Sequence, residues 1–151
     1  MRRSEQLVSN RRFWIISLPR ADMEQCIKAK VFGLKRKYLL GSVQTGDGIA
    51  CYVTKDAKVI ALGEVTKGYY CNKDKSSVFL ADGSFPHRIE FLAKTLGAEL
   101  DFRSLIDDLR FISNPAYWGA HLQLGITEIP KVDWELINRK ADAGKEAGKI
   151  L

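Results

Sequence analysis

Three short segments in a fixed order constrain the fold of this chain more than any other feature of its sequence. Residues 13–18 are apolar and rich in β-forming side chains, and Pro19 follows them, which is typical of a buried strand that ends there. Residues 31–37 combine an aromatic side chain, a glycine and three consecutive cations. Residues 46–53 form a glycine-containing turn that leads into a second apolar stretch. The pattern predicts a strand, a helix, a basic turn and a second strand.

Periodicity predicts further short elements between and after these segments. Met23, Cys26 and Ile27 recur at helical spacing, so a helix is predicted over 21–30. The other predicted elements are strands at 49–53, 58–66, 77–80 and 87–92, and helical segments at 102–109, from 114 and from Pro130. The strands and helices do not alternate as a doubly wound parallel sheet requires. We therefore predict an α+β fold with a compact, curved sheet or barrel and helices at its margins.

The length and composition of the chain indicate one domain. With 151 residues, of which 46% are hydrophobic, it can bury one substantial core. Residues 1–11 are polar and basic and are predicted to form a flexible arm, and the polar residues 139–151 are predicted to form a C-terminal tail. We expect a single domain over 12–138, taken as a monomer.

Charge and cysteine content indicate which partners and which cellular compartment to expect. A net charge of +6 favours polyanionic partners, although many mildly basic proteins bind no nucleic acid. The three cysteines are widely spaced and include no Cys-x-x-Cys pair, so neither a disulfide framework nor a zinc site is indicated. The sequence has no secretory signal and no apolar run long enough to span a bilayer. A cytoplasmic protein without membrane contact is expected.

The residue types that would support catalysis are not arranged for it. His87 and His121 have no metal-binding spacing to another histidine, a cysteine or a carboxylate pair, and each is interpreted as structural or exposed. Asp107 and Asp108 are adjacent, so their carboxylates diverge on a helix. The sequence also lacks a nucleophile elbow, a phosphate-binding loop and a dinucleotide fingerprint. We therefore predict no catalytic residue, no metal and no cofactor.

The stretch after the first predicted helix is a candidate for ligand contact. Phe32 could stack on a base, and Gly33 would allow the backbone to approach a ligand closely. Three cations that could neutralise phosphates follow: Lys35, Arg36 and Lys37. The alternative is that Phe32 packs in the core while the cations form a solvated turn. Composition does not decide between these interpretations.

The other aromatic residues are weighed in the same way. Trp14 lies inside the first apolar strand and is predicted to be a core residue. Trp134 recurs with Ile137 at helical spacing, which also indicates packing. Tyr69 and Tyr70 lie near lysines, so one of them is expected to be exposed and to serve as a secondary ligand contact.

Several short motifs together resemble an EVE domain, a member of the PUA-like superfamily. In chain order they are the strand 13–19, Phe32-Gly33-Leu34, the Gly46-Asp47 turn into 49–53, Gly63-Glu64-Val65, 117–120 and Ile129-Pro130. The resemblance covers roughly residues 12–137, and the order and spacing of the motifs carry it. It implies a PUA-like curved β-barrel of about five to six strands with flanking helices. The layout is similar to that of YTH domains, which hold a methylated base in an aromatic cage.

The resemblance also implies a pocket between the end of the first strand and the segment after the first helix. Its lining residues would be Ser17 at the floor, Phe32, Gly33 and Leu34 along one wall, and Tyr52 and Trp118 near the opposite side. Lys35 and Arg36 would contact phosphates beside it. The implied partner is RNA or DNA with a modified, for example methylated, base. The implied mechanism is non-enzymatic capture of a flipped or unpaired base, with stacking worth about 1–3 kcal/mol per base.

Two departures from the family pattern affect this pocket. Phe32 stands where the family often has tryptophan, which keeps a stacking face but loses an indole donor. Residues 125–130 lack the arginine that similar sequences often carry before Ile-Pro, which removes a candidate phosphate or base contact. The chemistry of this pocket is therefore expected to differ from that of members with a closer match.

Two other functions stay open at this point. ASCH domains share the PUA-like scaffold and include ribonucleases, whose Gly-x-Lys-x-x-Glu-x-Arg motif begins like Gly33 and Lys35. Tyr38 and Leu40 occupy the Glu and Arg positions, so the candidate general base is lost. The third interpretation is a protein-interaction or small-ligand domain whose basic residues point to different sides.

Overall fold

Six strands of the described chain form one curled sheet. The structure, a computed structural model, describes residues 11–72, 85–122 and 125–150, apart from the side chains of residues 121 and 144–150. The strands are β1 (Phe13–Leu18), β2 (Val31–Leu34), β3 (Gly48–Val53), β4 (Lys58–Cys71), β5 (His87–Asp101) and β6 (Ile126–Ile129). The helices are α1 (Arg20–Ala29) and α2 (Lys131–Ile150), with three 3-10 segments at Tyr38–Ser42, Phe102–Asp108 and Pro115–Leu122.

The strand order is β2-β5-β4-β3-β1-β6. β1 pairs with β3 in parallel along its whole length, and the other neighbouring strands are antiparallel. The register of the long β4–β5 ladder shifts at three places, which are Val59/Ala61, Val65/Lys67 and Lys67/Tyr70. Because such bulges bend and twist the strands that carry them, the sheet curls into a half-barrel. The predicted curved sheet of five to six strands with flanking helices is confirmed.

The curl brings the two edge strands close to each other. Leu34, the last residue of β2, has its Cδ2 2.9 Å from the position that a Cβ would take on Gly125, which directly precedes β6. Gly125 has a φ of 85°, which L residues rarely adopt. A side chain at this position would therefore be strained and would collide with Leu34.

Helix α1 closes one end of the half-barrel. It begins after Pro19 and ends at Lys30, whose φ is 64° and whose N–H donates to the carbonyl of Cys26 at 2.7 Å. Met23 and Cys26 are fully buried in the inner cluster of the sheet. In the described part of the chain, no helix has the length and apolar character that a bilayer span requires.

Alternation along β1 separates two hydrophobic clusters. Trp14 and Ile16 face the inner cluster, to which α1 also contributes, whereas Phe13 and Ile15 face the outer cluster, which the 3-10 segments Phe102–Asp108 and Pro115–Leu122 and helix α2 cover. Trp14 is fully buried, so its predicted core role is confirmed. Trp134 stacks on Phe13 with ring centroids 5.0 Å apart, so its predicted packing role is also confirmed.

A buried carboxylate fixes the amino end of β1. Asp47 is 3% exposed, and its Oδ2 accepts hydrogen bonds from Trp14 Nε1 and from the backbone N–H of Gln44, both at 2.9 Å. Its Oδ1 accepts the backbone N–H of Arg12 at 3.2 Å. The Gly46-Asp47 motif therefore has a structural role, because it ties the turn before β3 to the start of β1.

The structure differs from the sequence prediction in the middle and at the end of the chain. Residues 31–34, predicted as part of a basic turn, form β2, because they pair with β5. β4 and β5 extend beyond the predicted 58–66 and 87–92. Helix α2 continues to Ile150 through the predicted tail, and Ala141 is buried. The predicted strand 77–80 and residues 1–10 of the predicted arm lie outside the described residues, and the domain bounds 12–138 stay a prediction.

Candidate nucleic-acid interface

The carboxyl end of β1 carries a buried polar side chain without a partner. Ser17 is 5% exposed, and in the described part of the chain its Oγ is the buried side-chain polar atom that has no hydrogen-bond partner. Its backbone N–H donates to the carbonyl of Gly125 at 2.8 Å, and Gly125 contacts Leu34. We call Ser17, Leu34 and Gly125 the Ser17 corner. Because a buried hydroxyl without a partner costs free energy, a ligand with a polar edge would gain a hydrogen bond that the free protein leaves unmade.

β2 brings two of the predicted wall residues to this corner. Leu34 lies opposite His87 of β5, is half-buried and packs against the inner cluster. Gly33 is buried within β2, opposite Arg88. The structure thus links Ser17 and Leu34 through Gly125, which accepts the Ser17 backbone N–H and lies against the Leu34 side chain. Contact of Ser17, Leu34 and Gly33 with a ligand stays a prediction.

Phe32 does not line the corner. Its side chain is fully buried in the inner cluster, together with Trp14 and Met23. The pairing of β2 with β5 turns this ring inward, where burial of a phenylalanine side chain contributes about 1.5–3 kcal/mol. The structure contradicts the predicted stacking role of Phe32 and supports the alternative, a core residue behind the wall.

Tyr52 and Trp118 lie on the other face of the sheet from Phe32. Their ring centroids are 6.5 Å apart and nearly perpendicular, and both rings contact Phe102 in the outer cluster. Tyr52 is directly opposite Ser17 in the β1–β3 register, and its burial raises the pKa of its hydroxyl. Trp118 is half-buried. The sheet therefore divides the predicted lining into an inner group, with Phe32 and Leu34, and an outer group, with Tyr52 and Trp118.

The three cations after β2 have different surroundings. Lys35 Nζ lies 5.7 Å from the ring centroid of Phe85, which precedes β5. Lys37 lays its side chain along Gly41 and places Nζ 5.1 Å from the ring centroid of Tyr69. Arg36 is exposed and makes no ion pair or hydrogen bond within the described residues. Arg36 is therefore the most available of the three for a phosphate.

Sequence reasoning missed a pair of side chains beside these cations. Tyr69 and His87 stack with ring centroids 5.8 Å apart and an interplanar angle of 18°, and the Tyr69 hydroxyl lies 2.8 Å from His87 Nδ1. Tyr69 and Tyr70 are both half-buried, whereas the sequence suggested that one of them is exposed. No local signal marks the pair, because the two residues meet only when β4 and β5 pair.

Burial accounts for most of the raised pKa values among the thiols and tyrosines of the described residues. Burial raises the pKa of the Cys26 and Cys51 thiols, which keeps them protonated and unreactive. Burial and a hydrogen bond with Glu90 raise the pKa of Tyr70 to about 12. Among the described residues, no three metal-ligating side chains lie together.

A groove lies elsewhere, between β4, β5 and α2. It has a volume of about 520 Å³ and is lined in part by Arg11, Leu92 and Trp134. None of the predicted site residues lines it. The groove and the unpartnered Ser17 hydroxyl thus lie in different places. We favour the Ser17 corner as the ligand site, because an unpartnered polar group indicates a polar ligand, whereas the volume of a groove alone does not.

Comparisons with known proteins agree with this fold. No protein-family model matches the chain. The UPF0310 protein PH1033 from Pyrococcus horikoshii is 28% identical over 143 residues, which cover 84% of this chain and 97% of the relative. That alignment spans nearly the full length of a relative whose name states no activity.

Two solved structures with a similar fold contain nucleic acid. The YTH domain of the Zygosaccharomyces rouxii MRB1 protein, in complex with N6-methyladenosine RNA, has a TM-score of 0.61 and 13% identity, with 87% of each chain covered. The human THYN1 protein, in complex with 5-methylcytosine containing DNA, has a TM-score of 0.58 and 10% identity, with 83% of this chain and 95% of that chain covered. At these identities the likeness concerns the fold alone, and it agrees with the predicted curved sheet with flanking helices.

Proposed function

We propose that this chain is an EVE-domain protein that binds RNA or DNA at a modified base, without chemical change of the nucleic acid. The observation that carries the proposal is the buried, unpartnered Ser17 Oγ at the edge where the sheet closes. A hydroxyl can donate and accept, so it can meet the polar edge of a base. The cytoplasmic setting expected from the sequence belongs to the same proposal.

The corner would receive a base that has left its stack. The polar edge of the base would meet Ser17 Oγ, and Leu34 would provide an apolar contact for a methyl group. A buried methyl group contributes under about 1 kcal/mol, so strong discrimination also needs shape or a lost polar contact. Phe32 supports this arrangement from within the core, and the half-buried Trp118 offers part of an aromatic surface on the outer side.

The cations after β2 would hold the sugar–phosphate backbone. Arg36 is exposed and free of ion pairs in the described structure, and Lys35 extends over Phe85 beside it. Two proteins with the same fold occur in complexes with a methylated RNA base and a methylated DNA base, which supports this class of partner. The complexes differ in polymer, so the proposal covers both.

The observed residues favour a binding protein over a nuclease. Tyr38 and Leu40 stand where the ribonuclease motif has its acidic and basic residues, and Leu40 is fully buried. Tyr38 is not the carboxylate that the motif uses as its candidate general base, and Leu40 has no ionisable group. The proposal therefore assigns no catalytic residue.

The test is a binding titration of the intact protein with short RNA and DNA oligonucleotides. Each pair carries either N6-methyladenosine or 5-methylcytosine, or the unmodified base, at two salt concentrations. We expect one modified oligonucleotide to bind more tightly than its unmodified partner, and the preference to persist at higher salt. Equal, weak binding of every oligonucleotide that disappears with salt would leave only a general basic surface and would refute the proposal.

A further inference from the structure

Beside the Ser17 corner, His87 is the side chain best placed to serve a bound nucleic acid in a second way. We infer that His87 Nε2–H donates a hydrogen bond to the phosphate that flanks the bound base, and that Tyr69 holds the imidazole for this task. The inference rests on the proposed function and adds a phosphate ligand that is not a lysine or an arginine.

Tyr69 holds the imidazole of His87 in position. The Tyr69 hydroxyl is 2.8 Å from His87 Nδ1, and the two rings stack with an interplanar angle of 18°. Lys37 Nζ lies 5.1 Å from the Tyr69 ring centroid. With the Tyr69 hydroxyl donating to Nδ1, the neutral imidazole carries its hydrogen on Nε2.

The second ring nitrogen of His87, Nε2, is free for a ligand. Within the described residues, His87 Nε2 has no hydrogen-bond partner, because the contact of the ring is the one with Tyr69. A neutral N–H is a suitable donor to a phosphate oxygen, and such a bond to a charged group is stronger than one between neutral groups.

The sheet register places His87 next to the proposed base site. Leu34 lies directly opposite His87, and directly opposed residues of antiparallel strands project from the same face. Leu34 is also the residue that contacts Gly125 in the Ser17 corner. Lys35 follows Leu34 and lies over Phe85, two residues before His87. One strand spacing thus separates a side chain of the corner from the imidazole.

The experiment compares an oligonucleotide with a nucleoside. The wild-type protein, His87→Ala and His87→Gln are titrated with the modified oligonucleotide that the wild type prefers, and with the corresponding free nucleoside, which has no phosphate. We expect His87→Ala to bind the oligonucleotide about tenfold more weakly, on the scale of one hydrogen bond to a charged group, and to bind the nucleoside like the wild type. Glutamine can present an N–H donor, so His87→Gln should recover most of the loss.

Two further measurements separate this role from a structural one. The salt dependence of oligonucleotide binding should be unchanged in His87→Ala, because a neutral donor releases no counterion. Tyr69→Phe keeps the ring but removes the hydroxyl, so it should weaken oligonucleotide binding less than His87→Ala and spare the nucleoside. An equal loss for nucleoside and oligonucleotide, or no loss for either, would overturn the inference. A wild-type protein that binds neither ligand would instead refute the proposed function.

Discussion

Buried polar groups at the two ends of β1 differ in their hydrogen bonding. At the amino end, the Asp47 carboxylate accepts three hydrogen bonds, from Trp14, Gln44 and Arg12. At the carboxyl end, the Ser17 hydroxyl is equally buried and has no partner among the described groups. A satisfied polar group stabilises the fold, whereas an unsatisfied one stores a cost that a ligand can remove. The comparison separates a structural motif from a candidate site within one strand.

The largest expected effect is a loss of unfolding free energy at the amino end of β1. Asp47→Ala would leave the buried Trp14 Nε1 and two part-buried backbone N–H groups without their acceptor, which should cost about 3 kcal/mol of unfolding free energy. Urea unfolding of this variant and of Asp108→Ala, which removes an exposed carboxylate, gives the comparison. A small loss in Asp47→Ala, similar to that in Asp108→Ala, would show that the carboxylate does not anchor β1.

The carboxyl end should respond in the opposite way. Ser17→Ala removes a hydroxyl that has no partner, so we expect the unfolding free energy to stay within about 0.5 kcal/mol or to rise slightly. Binding of the preferred modified oligonucleotide should weaken about tenfold, the effect of one lost hydrogen bond. Ser113→Ala, at an exposed serine, should change neither quantity. A clear loss of stability with unchanged binding would reverse the assignment of this end.

Arg36 tests whether the carboxyl end carries a phosphate contact. Arg36→Gln should weaken modified and unmodified oligonucleotides alike and should lower the slope of log affinity against log salt by about 1. Arg20→Gln is the matched control, because Arg20 is already paired with Asp56 and Glu99. The same slope change in both variants would mean that the contact is not specific to Arg36.

The smallest expected effect is the pH dependence of the ion pairs near the carboxyl end. The hydrogen bond from Arg20 lowers the pKa of Glu99 below its ordinary 4.5. The folded-state pKa is thus the lower one, so the contribution is present above the ordinary value and is lost as the pH falls through the folded-state value. Arg20→Gln should therefore lose slightly less stability than the wild type between neutral and acidic pH, as measured by urea unfolding. Parallel curves for the two proteins would contradict this linkage.

Local patterns predicted the elements that depend on few distant contacts. β1, α1 and β3 were placed within a residue or two, because apolar runs and helical spacing mark them directly. β2 was missed because four residues beside three cations become a strand only through β5. The lengths of β4 and β5 were underestimated because bulges interrupt the alternation that identifies a strand.

The candidate site was predicted in part. The resemblance to EVE domains led to Ser17 and Leu34, which both approach Gly125 at the edge of the sheet. It also led to Phe32, whose ring is in the core, and to Tyr52, which packs in the outer cluster. His87 and Tyr69 could not be predicted as a pair, because 18 residues separate them along the chain and only the β4–β5 pairing brings them together.

The meeting of the two edge strands has a mechanical consequence. β2 and β6 are the ends of the strand order, and the described contact between these edges is that of Leu34 with Gly125. Parting them breaks none of the ladder hydrogen bonds that join the other neighbouring strands. The half-barrel can therefore open between β2 and β6 at a smaller cost in backbone hydrogen bonds than between any other pair of neighbouring strands.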